Sequence, residues 1–166
     1  MDQIQKSFPI ISLIFGVLIF CFLLVSLPLK VDAQLDSSRT EDGTEYIRSL
    51  ESLRDLDYQT WQVVVYNHGR PPGSIVLRIV GYPGKLRIDH PQLLHVQSGR
   101  KEWDLADITL GNKKLLNDPR AAAVEFELEP LLLDLNNNRP LRLFLPGVIN
   151  ELPIPPYIVS EWRSFL

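Results

Sequence analysis

Between Trp61 and Pro91 apolar and polar side chains alternate with a period of two, and this run constrains the fold more than any other stretch. Trp61, Val63 and Val65 alternate with Gln62, Val64 and Tyr66. Ile75, Leu77 and Ile79 alternate with Ser74, Val76, Arg78 and Val80. Leu86, Ile88 and His90 alternate with Lys85, Arg87 and Asp89. Successive side chains on a strand point to opposite faces, so each run reads as a strand with one face on a core. The breaks between the runs carry turn chemistry. In Gly81-Tyr82-Pro83-Gly84, proline sets φ near −65° and the following glycine supplies the positive φ of a type II turn. The stretch Asn67 to Gly73 holds Pro71 and Pro72, which have no N–H for a ladder, so it predicts a loop. Three consecutive antiparallel strands are expected.

Upstream lies a different kind of segment. Lys6 is the only charged side chain between Asp2 and Lys30, and Pro9 to Leu29 is almost unbroken apolar. Val31-Asp32-Ala33 then resembles a small-residue cleavage site before Gln34. Residues 1–33 therefore read as a secretory signal peptide. The apolar run is also near the ~20 residues that span a bilayer, so an uncleaved N-terminal membrane anchor is the alternative. Either way the rest of the chain is expected outside the cytoplasm, and the membrane is met only through this segment, if it is uncleaved. The leader carries Lys6 and Lys30 against Asp2 and Asp32, so the net charge of −3 belongs to the remainder. That balance does not attract nucleic acid. Cys21, the single cysteine, lies in the apolar run. The mature part then has no disulfide, no thiolate nucleophile and no sulfur metal ligand.

Residues 34–44 are polar and aperiodic and predict a linker; residues 45–166 predict a single β-rich domain. Ser49 to Asp55 leans towards a short strand followed by a turn at Asp55-Leu56-Asp57. Leu93 to Gln97 and Arg100 to Leu105 add two strands around Ser98-Gly99. Asp107 to Pro119 is a polar excursion expected as a surface loop. Val124, Phe126 and Leu128 alternate with Glu125, Glu127 and Glu129, a strand with an acidic outer face. Pro130 to Leu135 fits one helical turn, stopped by Asn136-Asn137-Asn138. Leu141 to Leu145 and Val148 to Ile154 flank a Pro146-Gly147 turn. Pro155-Pro156 opens a short C-terminal helix whose Ile158, Trp162 and Phe165 share one face. The expected class is mainly β: an antiparallel sandwich or partly open barrel of about eight short strands, closed by a C-terminal α-helix.

Several of these segments together resemble a known family. Ser52–Asp55, Trp61–Val64, Leu77–Gly84, Asp89–Leu93, Leu141–Pro146 and Pro155–Trp162 follow the order of motifs in a family of exported cyanobacterial proteins, a domain of unknown function. The likeness covers about residues 50–165. It implies a signal-bearing domain in the periplasm or thylakoid lumen and brings no catalytic residue. The longer apolar leader and the asparagine run 136–138 have no counterpart in that pattern.

Chemistry-bearing constellations are sparse. Gly81 to Lys85 is too short for a phosphate loop and lacks the Ser or Thr after lysine. His68, His90 and His95 are the only histidines; a regular strand sends His90 and His95 to opposite faces, so no metal site is expected. Asp104 with Asp107, or Glu125, Glu127 and Glu129, are candidate acid–base carboxylates, but the Glu trio reads more simply as a solvated face balanced by Arg142. There is no G-x-S-x-G and no Cys–His pair, and Ser74 simply begins its strand. No catalytic residue and no cofactor is expected. Trp61 and Trp162 belong to core stripes, whereas Trp103, set among Lys101, Glu102 and Asp104, is expected partly exposed. Tyr66, Arg78, Tyr82, Arg87 and Trp103 are the candidate binding residues. Aromatics beside arginine suit protein contacts, and Arg78 and Arg87 are expected on one outer face of neighbouring strands. These features suit a non-enzymatic interaction module with a membrane-associated protein partner. Two other functions fit the sequence: a barrel carrying a small apolar ligand, and a hydrolase.

Overall fold

The computed structural model describes residues 36–39, 45–67, 74–84, 86–116 and 122–166. The leader, most of the 34–44 stretch, His68 with the proline loop, and the end of the Asp107–Pro119 excursion lie outside the described residues. Two antiparallel sheets face each other. The first has the order β1(Asp36–Arg39)–β2(Glu45–Arg54)–β3(Thr60–Asn67)–β4(Ile75–Val80)–β7(Ala123–Glu127). The second has the order β6(Lys101–Ala106)–β5(Leu93–Ser98)–β8(Leu141–Leu145)–β9(Ile149–Ile154). The class is that of a β-sandwich. A bridge between Asp107 and Phe126 joins β6 to β7 at one corner, and the Leu56 N–H donates to the Glu151 carbonyl at 3.1 Å at the other.

The period-two pattern explains how the first sheet packs. Val63 pairs across from Ile79 and Ile79 from Val124; Val65 pairs across from Leu77 and Leu77 from Phe126. All six point inward and are fully buried. Leu94, Val96, Leu141, Leu143, Leu145, Leu152 and Ile154 answer them from the second sheet within the same cluster. Each such side chain contributes roughly 1.5–3 kcal/mol by leaving water. Pro153 sits inside β9 and is tolerated because β9 is an edge strand, where a missing N–H breaks no ladder.

Three expectations need correction. Residues 86–90 form no strand. β7 occupies the place beside β4, so Leu86 and buried Ile88 reach the core from irregular backbone. Arg78 and Arg87 consequently do not stand on neighbouring strands. Within the stretch expected as a linker, Asp36–Arg39 pairs antiparallel with β2, since an edge strand needs backbone groups rather than apolar side chains. The segment after Asp107 is not a plain surface loop either. It contains a 3₁₀ turn, Thr109–Gly111, and the short helix α1, Lys113–Leu116, with Thr109 buried.

The turns follow their glycines. Gly84, Gly99 and Gly147 have φ of +80°, +62° and +70°, as the tight reversals require. Gly81 has a different reason: a Cβ there would lie 2.7 Å from the Trp61 ring. That ring cannot give way, because it is buried and its Nε1 donates to Asp55 Oδ2 at 2.8 Å.

Two helices close the core. α2, Glu129–Asp134, begins with Pro130 in its first turn and buries Leu131 and Leu132. α3, Pro156–Arg163, buries Ile158, Val159 and Trp162, and half-buried Phe165 follows just past its end. The expected amphipathic stripe is thus the docking face.

Candidate functional site

The sequence candidates fall into separate places. On the outer face of the first sheet, β3, β4 and β7 bring Tyr66, Arg78 and Glu125 together. Glu125 accepts from the Tyr66 hydroxyl at 2.7 Å and from Arg78 Nε at 2.7 Å, and also pairs with the Arg78 terminal nitrogen. Arg78 also donates to the Tyr66 oxygen at 3.0 Å and lies over its ring, 5.1 Å from the centroid. The Asn112 amide donates to both Glu125 oxygens at 3.2 Å. Glu125 is therefore not part of a solvated acidic face: only 4% of it is exposed, covered by the segment after Asp107. Arg142 is not its partner, since it lies on β8 beside Glu151, 3.6 Å away. Burial, and then the hydrogen bond to Glu125, push the Tyr66 phenol above its ordinary value. Tyr66 and Arg78 are thus turned towards each other and Glu125.

Tyr82 and Arg87 stand elsewhere. Tyr82 is exposed in the turn after β4, and Arg87 is exposed on the irregular segment that follows. They do not join Arg78 in one face.

The two described histidines each meet an aspartate. His90 Nδ1 lies 2.7 Å from Asp107 Oδ2, and the Asp107 carboxylate also accepts from the backbone N–H of Gln92 and of Thr109. Burial works against the Asp107 charge, but hydrogen bonds from Thr109, His90 and Gln92 outweigh it and hold the carboxyl below its ordinary range. His95 Nδ1 lies 2.9 Å from Asp104 Oδ1 on the surface. Among the described residues no group of three or more His, Cys, Asp or Glu side chains gathers to hold a metal ion.

A second acidic meeting point joins Glu51 on β2 to Glu161 on α3. Burial, and then Glu161, raise the Glu51 pKa. Buried Glu161 has an Oε2 without a hydrogen-bond partner. A raised folded-state pKa favours the protonated form in the fold. Stability from Glu51 is therefore fully present below its unfolded pKa and is lost as pH rises through the folded value. Glu51→Gln should raise the melting temperature at neutral pH, with the gain shrinking to nothing in acid. Thermal melts across pH check this, and a gain independent of pH would sink it.

Trp103 lines an open recess. The tip of the β5–β6 hairpin, the end of α2 and the asparagine run enclose an open cleft of about 220 Å³. Arg100, Lys101, Trp103, Asp134, Asn137 and Arg139 are among the residues that line it. Trp103 is half-buried, as expected. Its Nε1 donates to Asp134 Oδ2 at 3.0 Å, and Lys101 reaches the same oxygen at 3.0 Å. These bonds hold the Asp134 carboxyl below its ordinary range, with Lys101 the first cause. The Ser98 hydroxyl donates to the Pro140 carbonyl at 3.1 Å, tying the hairpin to the segment that carries Arg139. Arg163 of α3 donates to Asn138 at 2.6 Å and anchors the run from behind. The asparagine run, which no sequence motif explained, is one wall of this cleft. Sequence reasoning missed Arg100, Asn137 and Arg139; the polar run beside a predicted helix end was the only signal.

Fold and cleft together define a two-sheet β domain with a polar, aromatic-edged recess at one end. The chain belongs to the DUF3122 family, described as a protein of unknown function, whose model matches residues 33–165. No curated protein and no solved structure matches it. Among the described residues no helix is long and apolar enough to cross a membrane.

Proposed function

We propose that the chain is an exported, non-enzymatic binding module, accessory to a membrane complex in the periplasm or thylakoid lumen, and that it binds through the cleft around Trp103. The cleft carries the proposal. It is open to solvent, has an aromatic edge, and presents cationic and amide groups within one small volume, the composition that recognition surfaces favour. The apolar leader supports export. Binding rather than chemistry is supported by how the carboxylates are used. Glu125 is engaged by Tyr66, Arg78 and Asn112, Asp107 by His90, Gln92 and Thr109, and Asp134 by Lys101 and Trp103. The His90–Asp107 pair would suit a hydrolase, but the Thr109 hydroxyl beside it is buried and accepts from the Glu125 N–H. The carrier of an apolar ligand has less behind it, because the inward rows of both sheets pack on one another and on α2 and α3.

Trp103→Ala tests the proposal. Captured from membranes under cross-linking, the wild-type chain should retain a defined partner. The variant should retain it about tenfold less or worse, as for loss of a tryptophan hot spot, while circular dichroism shows it still folded at the assay temperature. Equal retention by both chains, or no partner for either, removes this assignment.

A further inference from the structure

We propose that the cleft takes an oxyanion, a carboxylate or phosphate group, held by the guanidinium groups of Arg100 and Arg139 beside the Trp103 ring; this rests on the cleft being the binding surface. The charge arithmetic is local. Arg100, Lys101 and Arg139 line the cleft against the single carboxylate of Asp134, on a chain whose net charge is −3. Asp134 is already satisfied by Lys101 and the Trp103 N–H. Lys101 in turn spends its charge there, 3.0 Å from Asp134 Oδ2 and 3.4 Å from the Asp134 carbonyl. The two guanidinium groups are left, and neither has a carboxylate partner among the described residues. Both lie at the Gly99 turn, one from within it and one from the segment before β8. Arg100 follows Gly99 directly, and Arg139 Nη1 lies 3.9 Å from where a Cβ on residue 99 would stand. Glycine is required at 99 by its φ of +62°, and the Arg139 guanidinium passes beside it at van der Waals distance. A guanidinium offers a planar fork of N–H donors that matches carboxylate and phosphate oxygens two at a time. Trp103, fixed through its own N–H, supplies a wall against which the body of the ligand can pack.

The full-length chain in an uncharged detergent can be titrated with inorganic phosphate, with citrate, and with dihexanoyl phosphatidylglycerol against dihexanoyl phosphatidylcholine. Calorimetry and the fluorescence of Trp103 are the readouts; the other two tryptophans are buried. Binding of phosphate or citrate, weakened about tenfold or more by Arg100→Gln or Arg139→Gln and unchanged by Lys113→Gln, supports the proposal. The same pattern with phosphatidylglycerol alone supports it and places the oxyanion on a lipid headgroup. Anion binding that Lys113→Gln weakens as much as the arginine variants overturns it as unspecific charge attraction. No anion binding, with Trp103-dependent partner capture intact, overturns the oxyanion and leaves the binding module standing. Loss of both removes both.

Discussion

Trp162→Ala is expected to destabilise the domain by about 3–5 kcal/mol, the range for removing a large aromatic side chain from a core. The indole is 1% exposed and shares its helix face with Ile158 and Val159, both fully buried. α3 has eight residues, too few to hold a helix by propensity alone. Its order therefore comes from docking, and Trp162 is the largest side chain that docks. A loss of this size is a large share of a total stability of roughly 5–15 kcal/mol. Denaturant unfolding of the wild type and the variant measures it. If α3 instead swung free to present its indole to a partner, the midpoint would not move; an unchanged midpoint therefore refutes the docked helix.

The second large effect is expected on the opposite face of the sheet. Arg78→Met leaves Glu125, 4% exposed, with only Tyr66 and Asn112 as side-chain partners. Removing one member of a fully buried pair costs about 3–5 kcal/mol, because the remaining charge stays out of water. The Arg78 side chain is 32% exposed, so water can replace part of it, and about 2–3 kcal/mol is expected. Arg78→Met combined with Glu125→Leu should recover part of that loss, since no charge is orphaned although the Tyr66 hydroxyl and the Asn112 amide lose their acceptor. A double-mutant cycle decides the matter. Additive losses would mean that the ion pair is not coupled in the fold.

This cluster marks where the sequence stops being informative. Alternation correctly assigns Glu125 to the outer face of β7, opposite Val124 and Phe126. An outer face is normally wet, and nothing local signals that this one is covered. The cover comes from Thr109 and Asn112, whose polar neighbourhood reads as an excursion into solvent. The same limit explains the third run of the expected meander. Leu86 and Ile88 do face the core, but periodicity states which side is apolar, not which strand lies next door. β7, more than forty residues after β4 in the chain, took that neighbouring place because it buries Val124 and Phe126 in register with Ile79 and Leu77.

The sequence by itself determined the β class, the inward rows of β3 and β4, the glycine reversals at Gly84 and Gly147, and the docking stripe of α3. Each of these follows from residues within a few positions of one another, through side-chain period or through φ. Tertiary structure alone decided the partner of Glu125 and the neighbour of β4. It also decided that the β5–β6 hairpin tip and the asparagine run form one cleft around Trp103. The physical reason is common to all three: each joins segments distant along the chain, and such contacts are selected by the burial and charge pairing of the whole fold rather than by any local preference.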